Sequence, residues 1–255
     1  MPVVHEWKAV KTADEIELMR RSSRLVAETL RLMGSAVRPG ITTKELDELA
    51  ERHIRSGGGL PSFKGYRGFP ASICTSVNSE VVHGIPGKRV LEEGDIISID
   101  VGALKDGYHG DGAATFAVGR ISPEAARLLD VTAKSLEAGI AAAKDGARIV
   151  DISRAIQGVV EEAGFSVVRD LVGHGIGQQM HEEPQVPNFV TPGPSPALVA
   201  GMTLAVEPMV SIGGHGVTVK DDTWTVVTSD GSLAAHFEHT IVVGSSGAER
   251  LTVCE

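Results

Sequence analysis

Apolar residues recur at helical spacing across residues 12–37, where Ile16, Met19, Val26, Leu30 and Met33 share one face. Thr12 and Glu15 stand three apart ahead of that run, a capping-box pattern that sets the helix start. Arg38-Pro39-Gly40 ends it. A second helix is expected over about 43–55, with Leu46, Leu49, Ala50 and Ile54 on one side and Gly57-Gly58-Gly59 as its stop. Over 71–119 the pattern changes to apolar, β-branched runs, clearest at 96–101 and 115–118. Lys105-Asp106-Gly107 between them carries a hairpin turn signal. The order then repeats. Ser122-Pro123 opens a helix to about 143, Lys144-Asp145-Gly146 breaks it, and another helix covers about 150–163. Strand text returns from Phe165 to the end, interrupted by a Pro-rich loop over 184–196.

Two local matches make this order a repeat. Gly94-Asp95-Ile96-Ile97-Ser98-Ile99-Asp100 resembles Gly201-Met202-Thr203-Leu204-Ala205-Val206-Glu207, with an acid six positions after the glycine in each. Thr115-Phe116-Ala117-Val118-Gly119 resembles Thr240-Ile241-Val242-Val243-Gly244. An acid precedes each threonine by an even number, Asp111 by four and Glu238 by two. Even offsets keep strand side chains on one face. Pseudo-symmetric halves at about 12–120 and 121–250 would therefore direct four acids toward one centre. The expectation is an α+β fold, a single catalytic domain over residues 1–255.

Composition narrows the class. A chain of 255 residues, 42% hydrophobic and 22% charged, suits a soluble protein with a substantial core. A net charge of −9 without a dense Lys/Arg stripe argues against direct DNA binding. Cys74 and Cys254 offer neither a disulfide framework nor zinc spacing, which fits a reducing compartment. Residues 1–11 hold Pro2, His5, Glu6 and Lys8 and lack the apolar core of a signal peptide. No apolar run approaches a bilayer-crossing length. A cytoplasmic monomer with no membrane partner is expected.

Asp100, Asp111, Glu207 and Glu238 each lie in or beside apolar strand text. A buried carboxylate is costly unless protonated, paired or metal-bound. Taken singly, each reads as a strand end or the partner of a buried Arg or Lys. Four at matched positions, with little basic sequence nearby, read as ligands. Gly173-His174-Gly175-Ile176-Gly177 adds an imidazole, and the flanking glycines are expected to turn the backbone tightly and expose it. A second histidine, His181, follows. Four carboxylates and a neutral imidazole balance two divalent cations, which bridging carboxylates hold about 3.5–4 Å apart. An oxygen-rich donor set favours Mn, Fe or Co, and no contiguous calcium loop is present. Neither a Gly-x-Ser-x-Gly elbow nor a phosphate-binding loop occurs. Cys74 lies in apolar text, where packing or pocket lining is commoner than nucleophilic chemistry.

In combination these residues resemble the type I, bacterial-type methionine aminopeptidases. The motifs are Val82-His83-Gly84-Ile85-Pro86, Ile99-Asp100-Val101, His109-Gly110-Asp111, the glycine-flanked His174, His181-Glu182-Glu183-Pro184-Gln185, Glu207-Pro208-Met209, Trp224-Thr225-Val226 and Glu238-His239-Thr240. The resemblance runs from the first helix to Val243. It implies a pita-bread fold, two pseudo-symmetric halves with an antiparallel sheet covered by helices. It implies that Asp111 and Glu238 bridge two divalent ions (Co, Mn, Fe or Zn), that Asp100 binds one, and that His174 and Glu207 complete the other. Water or hydroxide between the ions is then the nucleophile and Glu207 the proton shuttle. His181 stabilises the oxyanion and His83 assists the leaving group, with structural hydrogen bonding the plainer role for both.

The same resemblance places the methionine pocket at Phe63, Tyr66, Phe69, Cys74 and Trp224, where aromatic and sulfur contacts suit a thioether and ordinary core packing is the alternative. Phe63 stands where some relatives carry cysteine. Substrates are N-terminal Met peptides and nascent polypeptides, with ribosome docking implied by that work. Two rivals stand beside this reading: an Xaa-Pro aminopeptidase or prolidase-like peptidase, and a non-catalytic pita-bread domain that binds peptides.

Overall fold

A computed structural model describes residues 10–254. The expected absence of an apolar leader falls almost wholly on residues outside that range. The first helix, α1 (Ala13–Ala36), starts where the capping box places it. Thr12 N–H donates to Glu15 Oε2 at 2.8 Å, and Glu15 N–H to Thr12 Oγ1 at 3.3 Å. A second capping box, Thr42 with Glu45, opens α2 (Thr43–Ser56). Ser122 caps α3 (Pro123–Ala142), with Pro123 in the first turn. The fourth helix, α4, spans Ile149–Glu162.

Among the described residues nine strands form the main sheet, and every pairing in it is antiparallel. From one edge the order is Leu60–Pro61, Ile96–Lys105, Tyr108–Ala117, Glu238–Val243, Thr203–Val206, Gly173–Gly175 and Glu182–Val186. Cys74–Val77 also pairs with Ile96–Lys105, and Ala248–Arg250 with Glu238–Val243. Strand alternation divides the faces. Ile97, Ile99, Val101 and Ala103 pack with Val26, Met33, Leu46 and Ile54 of α1 and α2. Leu204, Val206, Ile241 and Val243 pack with Leu136, Ile140, Ile152 and Ile156 of α3 and α4. Leu46 and Ile54 are 0% exposed, and each fully buried side chain of this size contributes about 1.5–3 kcal/mol. The face opposite the helices carries Ser98, Asp100 and Gly102.

The two halves share hydrogen bonds at matched positions. Gly94 N–H donates to Val118 O at 2.9 Å and Val118 N–H to Asp95 O at 2.9 Å. Gly201 N–H donates to Val243 O and Val243 N–H to Met202 O, both at 2.8 Å. The matched glycines both need positive φ, +97° and +91°. Ahead of α2, Gly40 N–H reaches Leu91 O and Leu91 N–H reaches Ile41 O; ahead of α4, Gly146 N–H reaches Leu198 O and Leu198 N–H reaches Ala147 O.

The hairpin turn falls at Asp106 and Gly107, with φ of +52° and +84°, the left-handed pair of a type I′ turn. Two expectations shift. The strand read over 96–101 runs on to Lys105. The Pro-rich loop begins later than 184, because Pro184 and Gln185 belong to the Glu182–Val186 strand. That strand is an edge with a register shift opposite His174 and Gly175, where the missing proline N–H costs no ladder bond.

Candidate metal centre and substrate pocket

Strand register alone gathers the acids. In the Ile96–Lys105 hairpin Asp100 lies opposite Ala113 and Gly102 opposite Asp111, and Ala113 also lies opposite Glu238. Opposed residues share a face, as do residues two apart, so Asp100, Asp111 and Glu238 project together. On the other side Thr240 and His174 both pair with Ala205, two residues before Glu207. Two stretches of one register flank the fifth donor. Continuing from His239↔Val206 by one place, or from Met209↔His236 by two, sets Glu207 opposite Glu238.

Ligand atoms of Asp111, His174 and Glu238 lie within 4.8 Å of one another. His174 Nε2 is 3.8 Å from Asp111 Oδ2 and 3.5 Å from Glu207 Oε1. His174 Nδ1 lies 2.8 Å from Gly175 O. That carbonyl can only accept, so Nδ1 carries the proton and Nε2 keeps its lone pair, the arrangement a metal-ligating histidine needs. The flanking glycines serve a different end from the expected one. Gly173–Gly175 is extended strand and His174 is buried. A Cβ on Gly173 would meet Ala205 O at 2.4 Å, and one on Gly175 would meet Glu183 O at 2.4 Å. Glycine here permits close strand packing, which brings the imidazole inward rather than exposing it.

Burial pushes Asp100 up to about 7. Burial, then the negative charge of neighbouring acids, pushes Asp111, Glu207 and Glu238 well above the usual carboxylate range. Among the described residues no Lys or Arg forms an ion pair with any of the four; Asp111, Glu207 and Glu238 face only the His174 and His236 rings, at 3.5–3.9 Å. Asp100 Oδ1 and Glu238 Oε1 are buried with no hydrogen-bond partner. Orphaned anionic oxygens without a basic neighbour are costly, and divalent cations satisfy both the lone pairs and the charge. The donor set fits such ions.

A cavity of about 170 Å³ opens over these acids. It is lined by all five residues expected to select methionine, Phe63, Tyr66, Phe69, Cys74 and Trp224, and by His83, His181, Asp100, Asp111, Glu207 and Glu238. Apolar cavities near 150 Å³ accept a benzene-sized ligand, so one side chain of methionine size is the right scale. Phe69 and Trp224 meet edge to face, centroids 5.1 Å apart at 77°. Cys74 lies opposite Asp100 in the sheet, and burial pushes its thiol well up, which suits lining rather than attack.

His181 Nδ1 is 2.8 Å from Tyr66 Oη. With the phenol donating, the His181 proton resides on Nε2. The His181 ring lies 4.3 Å from the His174 ring. Burial, then the Arg67 charge, lowers the His181 pKa. Burial lowers that of His83 to about 4, so both imidazoles are neutral near pH 7. His83 adopts φ +59°, and its ring lies edge-on to Trp224 with centroids 6.4 Å apart.

The structure adds residues that the sequence reading passed over. Met180 and Arg67 line the cavity, and His236 sits beneath Glu207 and Glu238. Met180, next to His181, carried no signal beyond its neighbour. His236 stands two before Glu238 in strand text, an even offset that marks the same face.

Comparison with known proteins agrees with this geometry. Residues 17–245 match metallopeptidase family M24. A methionine aminopeptidase from Clostridium acetobutylicum is 56% identical over 96% of this chain and 99% of its own. The crystal structure of a methionine aminopeptidase from Thermotoga maritima superposes with a TM-score of 0.94 at 48% identity, covering 96% of this chain and 98% of its own. A prolidase from Pyrococcus furiosus shares the pita-bread fold alone, with a TM-score of 0.80 at 21% identity over 97% of this chain and 66% of its own. The chain belongs to metallopeptidase family M24, in its methionine aminopeptidase branch.

Proposed function

We propose that the chain removes the N-terminal methionine of peptides and nascent polypeptides in the cytoplasm, as a single catalytic domain acting as a monomer. Docking at the ribosome follows from that substrate. No helix among the described residues is long and apolar enough to cross a membrane. The observation that carries the reading is the position of four carboxylates, drawn from both halves, in the lining of a cavity of methionine size, with the His174 imidazole grouped against Asp111 and Glu238.

Asp111 and Glu238 would bridge two cations, Asp100 would hold one, and His174 with Glu207 the other. When bound, such cations polarise the scissile carbonyl and acidify a water. Glu207 takes the proton of the attacking water and passes it to the leaving amine, a role that suits a carboxyl whose protonated form burial favours. His181, its proton placed on Nε2 by Tyr66, donates to the carbonyl oxygen as charge develops there. Neutral His83, lining the same cavity, donates toward the leaving nitrogen. Phe63, Phe69, Trp224 and Cys74 exclude water around the side chain.

The test is hydrolysis of Met-Ala-Ser, Leu-Ala-Ser and Ala-Pro-Ala by metal-free protein and with added Mn²⁺, Co²⁺ or Fe²⁺. Metal-dependent release of methionine alone is expected. Cleavage of the proline peptide would transfer the assignment to a prolidase-like activity, and no cleavage with any metal would leave a peptide-binding domain.

A further inference from the structure

Among the described residues, His236 is a buried imidazole with both ring nitrogens unmet. Its side chain is 1% exposed, and neither Nδ1 nor Nε2 has a hydrogen-bond partner. Natural cores rarely leave such groups unmet without a reason. The ring cannot easily move away. His236 N–H donates to Thr115 Oγ1 at 2.9 Å, and Thr115 Oγ1 donates back to His236 O at 2.9 Å. Pairing with Met209 fixes the strand from the other side.

Its surroundings are one-sided. Nε2 faces Glu207 Oε2 at 3.7 Å and Glu238 Oε2 at 3.9 Å. Nδ1 has no hydrogen-bond partner. A neutral imidazole carries one N–H. With acceptors only on the Nε2 side, the proton belongs on Nε2. His174 is the opposite case: its Nδ1 proton goes to Gly175 O, which frees Nε2 to act as a donor atom. Glu207 thus lies between two imidazoles of opposite tautomer, Oε1 toward His174 and Oε2 toward His236.

We propose that His236 is a positioning residue that presents Nε2–H to Glu207 Oε2, fixing the carboxylate so that Oε1 faces the metal side and the proton-carrying oxygen is always the same one. The role rests on the reading of Glu207 as ligand and proton shuttle. The present 3.7 Å separation is longer than a hydrogen bond, and a rotation of the carboxylate that shortens it by less than about 1 Å completes one. His236 is not a sixth ligand in this account, because the proton occupies the atom that would coordinate.

The test begins with the tautomer, which needs no variant and no activity. ¹⁵N NMR of the protein, labelled at histidine and loaded with Zn²⁺ as a diamagnetic probe, is expected to show His236 with a protonated Nε2 and a bare Nδ1. The reverse tautomer, or an Nε2 bound to the ion, overturns the proposal. Variants then test the consequence. His236→Gln keeps an N–H donor at similar reach and is expected to stay within about threefold of wild type in kcat. His236→Leu fills the space without a donor. It is expected to lower kcat about 10–100-fold and weaken Mn²⁺ binding measured by calorimetry, with two ions still bound and KM little changed. Equal losses in both variants, or none in either, overturn the role. Should His236→Leu fail to fold, His236→Gln and the NMR assignment still decide. Loss of methionine release in the wild-type protein itself would sink the functional reading while leaving the tautomer measurable.

Discussion

Thr115 and Thr240 make the same contact from opposite halves of the molecule. Thr115 Oγ1 donates to the carbonyl of His236 and accepts from its N–H, both at 2.9 Å. Thr240 Oγ1 donates to the carbonyl of Asp111 at 2.8 Å and accepts from its N–H at 3.0 Å. Each hydroxyl ties the strand of the other half that carries metal-site residues. Thr240→Val keeps the shape and leaves a buried N–H and C=O unmet, so it should cost about 1–3 kcal/mol in urea unfolding. Thr115→Val should act similarly. A loss under 0.5 kcal/mol in both would mean the hydroxyls are replaceable by packing.

Asp111→Ala removes a carboxylate that lies within reach of both His174 and Glu238. Turnover should vanish, calorimetry with Mn²⁺ should show fewer than two ions bound, and the far-UV spectrum should be unchanged. Normal turnover in a metal-saturated variant would remove Asp111 from the ligand set.

Metal-free stability should decline as pH rises above neutrality. Asp100, Asp111, Glu207 and Glu238 are raised from ordinary values of 3.8 and 4.5. The native state therefore holds protons that the unfolded chain has lost, and that contribution disappears as pH climbs through the folded pKa values. His83, His109 and His239 are lowered to about 4, and His174 and His236 to about 3, from 6.5. These act in the opposite sense, their penalty easing as pH rises to about 6.5, and add nothing beyond it. Between about pH 7 and 9 only the carboxyl effect is left. Scanning calorimetry in chelator should show Tm falling across that window, and Mn²⁺ should flatten the trend. A metal-free Tm that holds or rises would contradict it.

His181→Ala should lower kcat by about 10²-fold or more with metal content unchanged. Tyr66→Phe removes the hydroxyl that fixes the His181 tautomer and should lower kcat less. Metal lost in step with activity in His181→Ala would place His181 among the ligands instead.

Trp224→Ala opens the cavity beside Phe69. KM for Met-Ala-Ser should rise about tenfold, near 1.4 kcal/mol of binding, and discrimination against Leu-Ala-Ser should weaken. An unchanged KM would place the methionine side chain elsewhere.

Much of this molecule was legible before folding. Capping boxes, turn residues and apolar periodicity are local, so Thr12 with Glu15, Ser122-Pro123 and Asp106-Gly107 mark their elements within a few positions. The four acids were legible too, because a repeat in sequence becomes a repeat in space, and even offsets along a strand give one face. Other features depended on what lies across the sheet. The glycines beside His174 look like turn formers until the carbonyls of Ala205 and Glu183 are seen against them. Pro184 looks like a loop until its strand proves to be an edge. His236 carries only its even offset from Glu238, because its role is set by Glu207, 29 positions away in the chain. Sequence determined the elements and the chemistry available to them; the tertiary structure decided which atoms meet, because strand register couples residues whose separation along the chain carries no physical signal.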